Sequence, residues 1–387
     1  MNLTLPPLSL YIHIPWCVKK CPYCDFNSHA LSADIDAESN EALYVEALLK
    51  DLSTEIPLAS DRELESIFIG GGTPSLFSAT AITQLLDGVR TLITLKPGAE
   101  ITLEANPGAA DAAFFAGYRL AGVNRLSIGA QSFNDEHLRS IGRIHSAHQA
   151  LEAYRLATDA GFHNINLDLM YGLPGQSIGQ AMDDLKQAIS LKPQHLSWYQ
   201  LTIETNTLFS SQPPDDLPSH EKLAEISDAG IELLGEHGFK QYEVSAFATG
   251  GHQCRHNLNY WQFGDYIGIG AGAHGKLTSM DGGHISRRRK QRSPAAYVES
   301  AHSGDALSSE NRLQDEDLLL EFMMNVLRLN QGIPAAAFEL RTGLSLKAIQ
   351  LRLLHARRAG LLEQNPKVLR ATQMGRTFLN NLLIMFS

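Results

Sequence analysis

The sequence has no apolar stretch of membrane-spanning length, and its first residues lack the basic segment, apolar core and small-residue cleavage site of a secretory signal. A cytoplasmic protein is the expectation. Cysteine is scarce: four in 387 residues, three of them too close together for a simple disulfide framework, which agrees with a reducing compartment. Positive charge is also short. A net charge of −10 argues against a general binder of nucleic acid or anionic membrane. The local exception is Arg287-Arg288-Arg289-Lys290, which reads as a solvated loop within Asp281 to Ser293.

What is present is regular alternation, in a chain long enough for one large domain and a small one. Apolar, β-rich runs occur at Leu8 to Ile14, Ser66 to Ile69, Glu100 to Ala105, Asn124 to Ile128, Asn164 to Met170 and His195 to Ile203. Between them lie helical patterns at Glu41 to Glu55, Ala79 to Leu92, Ala110 to Ala121, Asn134 to Ala160 and Ser177 to Leu191. This βα repetition predicts an α/β fold with a parallel sheet. Six units fall short of the eight that close a full barrel, so an open, partial (β/α)6 barrel is favoured, with a doubly wound sheet as the alternative from pattern alone. In either, ligands belong at the C-terminal ends of the strands.

From about Asn311 the pattern becomes helical: Asp315 to Leu329, Ile333 to Arg341 and Leu346 to Ala359, then an extended segment, Leu361 to Ala371, and a last helix, Met374 to Phe386. These predict a small winged-helix-like C-terminal domain. The expected division is 1–240 for the barrel, 241–310 for an extension carrying loops and a further motif, and 311–387 for the C-terminal domain. Ser211 to Pro218 and Gly250 to Gly251 read as loops. Winged helices often bind DNA, but an acidic chain without a basic recognition helix makes nucleic acid an unexpected partner. The apolar chain end reads as a packed helix face rather than a membrane anchor.

Cys17, Cys21 and Cys24 follow the first strand directly. Three thiolates on one loop can each hold an iron of a [4Fe–4S] cluster and leave one iron open, since complete protein ligation takes four. A zinc knuckle completed by His13 or His29, and a structural disulfide, are the competing readings. The C-x3-C-x2-C spacing resembles the signature of the radical S-adenosylmethionine (SAM) superfamily. There the amino and carboxylate groups of SAM chelate the open iron, and the reduced cluster cleaves SAM to a 5′-deoxyadenosyl radical. Tyr23, the aromatic before the last cysteine, fits that family as well.

The second strand runs into Gly70-Gly71-Gly72-Thr73-Pro74. Glycines let backbone amides approach a ligand and adopt positive φ, and Thr73 adds a hydroxyl. A phosphate loop is the rival reading, but its Lys-Ser/Thr ending is missing. The run resembles the glycine motif of radical SAM enzymes, in the form found in the coproporphyrinogen-dehydrogenase-like branch, where it contacts the methionyl amino group. Glu104 ends the third strand, Gln131 follows the fourth, Asp168 lies in the fifth, and Arg143 sits on the intervening helical segment. A carboxylate or amide can hold ribose hydroxyls, and an arginine can pair with a carboxylate through forked hydrogen bonds. Alone, each is more often structural. The resemblance implies that these four, with Tyr11, contact SAM.

Tyr11 to Cys17, the glycine run, Ile128 to Phe133 and Asp168 to Pro174 together resemble the oxygen-independent coproporphyrinogen III dehydrogenase family, the HemN/HemW branch, over nearly the whole chain. The dehydrogenases carry a further cysteine two residues after the third; here that position is Phe26. This departure speaks against oxidative decarboxylation of coproporphyrinogen III to protoporphyrinogen IX. Downstream, His256-Asn257-Leu258-Asn259-Tyr260-Trp261 matches the H-N-x-x-Y-W motif associated with heme in that branch. A neutral imidazole is a good axial ligand, and Tyr260 and Trp261 can pack on a porphyrin. The alternative is an aromatic turn on the barrel rim, and His252 and Cys254 are alternative ligands. Tyr266 to Gly275 is glycine-dense enough to approach a cofactor, but it opens no βαβ unit with the acidic residue a dinucleotide site needs. His274 reads as a packed core residue, or as a second heme contact. The resemblance implies a heme chaperone that carries a [4Fe–4S] cluster and SAM and passes heme to acceptor proteins, membrane-associated respiratory proteins among them. It leaves a homodimer open.

Overall fold

The computed structural model describes residues 3–31, 37–108 and 114–387. Six parallel strands lie in sequence order in one sheet: β1 (Leu8–Ile14), β2 (Leu64–Gly71), β3 (Leu95–Ala105), β4 (Arg125–Gln131), β5 (Ile165–Tyr171) and β6 (His195–Gln200). Past β6 the sheet ends in two short antiparallel strands, β7 (Lys240–Glu243) on the edge and β8 (Ala246–Ala248) inside it. On the other flank of β1 the chain adds β9 (Asp265–Ile269) in parallel. Antiparallel β10 (His274–Ser279), β11 (His284–Lys290) and β12 (Leu307–Arg312) follow. The twelve strands run in linear order from β12 to β7, so the barrel stays open.

Alternation along β1 shows why this sequence makes a barrel wall. Leu10, Ile12 and Ile14 are fully buried in the main core, while Ser9 and Tyr11 turn inward. The Ser9 hydroxyl meets that of Ser66 at 2.8 Å, and the Tyr11 ring stacks on Phe68. Register sets residues of neighbouring strands side by side in rows: Tyr11, Phe68, Thr102 and Arg125 form one. One layer higher lie Glu104, Ser127, Asn166 and His195. The interior is therefore aromatic on the β1–β2 side and polar on the β3–β6 side.

Helices cover the outside, among them α1 (Ala37–Glu55), α2 (Ala79–Leu92), α3 (Phe115–Ala121), α4 (Asp135–Ser140), α5 (Ala147–Asp159) and α6 (Ile178–Ser190). The expected start of α3 at Ala110 lies outside the described residues. The helix expected over Asn134 to Ala160 is two helices. Gly142, at φ 72°, closes α4 with its amide on Arg139 O at 3.0 Å, and a capping box of Ser146 and Gln149 restarts the helix as α5. Arg143 consequently sits in the turn between them.

The expected loop over Asp281 to Ser293 is also corrected, because most of it is β11. Its basic run alternates across the strand. Arg288 and Lys290 point into a buried ion network, with Lys290 Nζ 2.6 Å from Asp51 and 2.5 Å from Glu55, and Arg288 Nε 3.1 Å from Glu55. Arg287 and Arg289 take the opposite face.

A second core joins Leu318, Phe322, Phe338, Leu353 and Leu369 of the C-terminal part to Leu3, Phe263 and Ile285. Along the chain α7 (His220–Glu236) and α8 (Arg255–Trp261) precede it, and the core itself is built on α9 (Asp315–Val326), α10 (Ala336–Thr342) and α11 (Gln350–Arg358). A small wing pairs Ile333–Pro334 with Val368–Leu369. The last expected helix breaks at Phe378 into Gln373–Thr377 and Leu379–Ile384, and buries Leu382 and Phe386 in this core. No described helix is long and apolar enough to cross a membrane.

Candidate functional site

The cysteine loop lies at the C-terminal end of β1, docked on the glycine run that ends β2. The amides of Gly72 and Thr73 donate to the carbonyls of Ile14 and Trp16, both at 2.7 Å. A side chain at Gly72 would place a Cβ 2.5 Å from Trp16 O, and Gly71 holds φ +118° against the His13 ring. The glycines are thus required by the approach of the two loops. Gly71 N–H donates to Glu104 Oε2 at 3.0 Å. All three amides are spent within the protein, so the backbone of the run offers a ligand its carbonyls, which suit an amino group, while Thr73 adds its hydroxyl.

Cys17, Cys21 and Cys24 are free thiols, half-buried on the wall of a cleft of about 140 Å³. Tyr23, Gly71, Gly72, Thr73, Glu104, Gln131, Arg143 and Asp168 line the same cleft, so every residue expected at SAM except Tyr11 is brought together. Arg143 reaches Asn106 Oδ1 at 2.7 Å, Gly129 O at 2.8 Å and the Cys21 sulfur at 3.7 Å, while its buried Nε has no partner. Asp168 accepts from Ser127 Oγ at 3.0 Å and from Asn166 Nδ2 at 2.8 Å. Gln131, held at φ +65°, accepts from the Tyr199 hydroxyl at 2.8 Å. Burial, with Asp168 nearby, pushes the Glu104 carboxyl up to about 8. Asn106, Ser127, Asn166 and Tyr199 went unnoticed in the sequence; their one signal was register beside the expected residues.

The residues fit a cluster better than a single ion. Tetrahedral zinc at about 2.3 Å from each sulfur would draw its ligand atoms to within about 4 Å of one another. Among the described residues, only Glu100, Cys254 and His256 bring three ligand atoms that close, within 4.8 Å, and the loop thiols do not. His13 cannot complete a knuckle. Its Nδ1 is bonded to the Tyr11 hydroxyl at 2.7 Å and its Nε2 to Asn27 O at 2.9 Å. Three thiols spread around an open cleft suit a larger inorganic group. The orphaned Arg143 Nε suits an anionic end, and Glu104 with Asp168 suits a cationic one.

A second cavity, about 360 Å³, adjoins the first and shares Phe26, Gly71 and Glu104 with it. Tyr11, Phe68, Tyr260, Trp261, Phe263 and Tyr266 make it aromatic, and Lys276 and Arg287 bring positive charge to the wall that carries His274. Tyr260 and Trp261 of the expected heme motif therefore reach a cavity, and Tyr11 belongs to this one. His256 and Asn257 do not line it. His256 is buried beneath Phe68, the rings stacked at 4.0 Å and 12°. Its Nδ1 is 3.0 Å from Cys254 Sγ and 3.4 Å from Glu100 Oε1. Burial pushes the His256 imidazole down, more than Glu100 raises it. Arg125, wholly buried beside this trio, opposes a cation there. Asn257 faces the Tyr242 hydroxyl. His274 is exposed on the cavity wall, which corrects its reading as a packed core residue. Phe68 escaped notice, and Tyr266 was seen only as the start of a glycine-dense segment, because nothing in a strand's alternation says which face looks into a cavity.

Residues 11–188 match the radical SAM superfamily, and residues 313–378 match the HemN C-terminal domain. The heme chaperone HemW of Escherichia coli (strain K12) is 51% identical over 382 residues, covering 99% of this chain and 98% of its own. The heme chaperone HemW of Haemophilus influenzae is 49% identical over 386 residues, with the same coverages. Among solved structures, the coproporphyrinogen III oxidase HemN of Escherichia coli superposes with a TM-score of 0.81 over 99% of this chain and 90% of that one, at 24% identity, which establishes the fold. With that similarity running end to end through both the cysteine loop and the C-terminal helices, the chain belongs to the HemW family of the radical SAM superfamily.

Proposed function

We propose that this chain binds heme and hands it to acceptor proteins, with a [4Fe–4S] cluster and SAM in the adjoining cleft. The observation that carries the reading is the aromatic cavity bordering the thiol cleft, with Phe26 where a dehydrogenase would have cysteine. Both bacterial relatives are heme chaperones by name, which supports it. Cys17, Cys21 and Cys24 would hold the cluster; burial raises the Cys17 and Cys24 thiols, so iron must displace their protons. Arg143 would take the carboxylate of SAM, and Glu104 and Asp168 its ribose or cationic groups. When bound, the reduced cluster supplies one-electron cleavage of SAM. Tyr260, Trp261, Phe68 and Tyr266 would flank the porphyrin.

Titration of hemin into the reconstituted protein tests the reading. A stoichiometric Soret change is expected, weakened in Trp261→Ala; absence of any change in the wild type would end it. The shared wall also favours a second reading, in which an occupant of the aromatic cavity is a substrate facing SAM. Anaerobic incubation with SAM, a reductant and coproporphyrinogen III separates the two. Substantial protoporphyrinogen formation would replace the chaperone reading.

A further inference from the structure

We propose that His274, rather than His256, is the histidine that ligates the iron of heme in the aromatic cavity; the inference rests on that cavity being the heme site. Among the described residues His274 is the one histidine on its wall, and none of them hydrogen-bonds its ring. His256 is enclosed by Phe68 on its face and by Cys254 and Glu100 at its nitrogens, and a porphyrin would have to displace all three.

The glycine-dense segment before His274, which the cofactor sites leave unexplained, is what presents it. Gly270 at φ +104° and Gly272 at φ +78° turn the chain tightly from β9 into β10, with Ala273 N–H on Gly270 O at 3.0 Å. At Gly268 a Cβ would stand 2.0 Å from His274 O, so the strand can return against β9 only over a glycine. The turn delivers His274 as the first residue of β10. Alternation then puts Lys276 on the same face, and register sets Arg289 opposite His274 and Arg287 opposite Lys276. Lys276 is spent on Asp265 at 2.8 Å, and Arg287 is paired with Glu321. Arg289 is exposed and has no ion pair among the described residues, which leaves it free for a carboxylate such as a heme propionate.

The test is hemin binding to the full-length protein, read by Soret position and by electron paramagnetic resonance of the ferric complex. Wild type should show an imidazole-ligated signature. His274→Ala should lose it and weaken hemin by about tenfold or more, and free imidazole should restore the signature. His274→Cys should exchange the imidazole signature for a thiolate one, which tests the assignment even if the alanine variant folds poorly. His256→Ala should keep the wild-type ligand signature. An unchanged spectrum in both His274 variants, or loss of the signature in His256→Ala alone, overturns the assignment while leaving heme binding intact. Failure of the wild type to bind hemin would remove the heme reading itself and the assignment with it.

Discussion

Glu104 carries the least comfortable charge in the cleft. Its folded pKa of about 8 lies above the ordinary 4.5 because burial and Asp168 both disfavour the anion, against one hydrogen bond from Gly71. The folded state therefore binds a proton that the unfolded chain releases at lower pH. The associated stability is complete below about pH 4.5 and is lost as pH rises through about 8. In cofactor-free, reduced protein, the melting temperature of wild type should fall relative to Glu104→Gln across that window; parallel profiles would show that Glu104 is already ionised. Cys24→Ser should abolish the iron–sulfur absorption of the reconstituted protein and leave its circular dichroism nearly unchanged, since the loop thiol contributes little to the barrel core. Loss of helical signal would refute that division. Cys17, Cys21, Cys24 and the glycine run were legible because their spacing is local. The position of His256 was not, because its neighbours Phe68 and Glu100 arrive from strands more than 150 residues earlier in the chain.

At the scale of elements, β11 shows what periodicity in a charged run hides. A solvated loop is the economical reading of four consecutive cations, yet alternation in a strand sends Arg288 and Lys290 to a face where Asp51 and Glu55 of α1 await them. The partners lie more than 230 residues away, so no local window reveals them. The long helix over Asn134 to Ala160 failed for the opposite reason: Gly142 and the Ser146 capping box are local signals, outweighed by apolar periodicity on both sides. Lys290→Met should destabilise the protein by about 3–5 kcal/mol, because two carboxylates lose their buried cation. Arg289→Ala, one residue away but exposed, should change stability by less than about 0.5 kcal/mol. Denaturant melts of the two variants check this, and equal effects would mean that the run is solvated after all.

For the whole molecule, the aromatic cavity belongs to neither part alone. Phe263 packs in the C-terminal core and lines the cavity, Arg328 lies over the Trp261 ring at 4.2 Å, and Asn325 of α9 completes the wall. The thiol cleft, by contrast, is made entirely of barrel residues. Six alternating units made the barrel legible. An extension over 241–310 was expected, but its strands were not, since β9 pairs with β1 across most of the chain and has no crossover pattern of its own. This division gives the two sites separable dependence on the docking of α9, whose Glu321 grips Arg287 at 2.5 Å, with about a quarter of each side chain exposed. Glu321→Lys would set two cations against each other at that seam and loosen the cavity wall while leaving the cysteine loop untouched. Iron content and SAM binding should match wild type, whereas hemin affinity should fall about tenfold, equivalent to about 1.4 kcal/mol. If iron loading and hemin binding fell together, the two sites would form one cooperative unit; if neither changed, the C-terminal part would not shape the heme site at all.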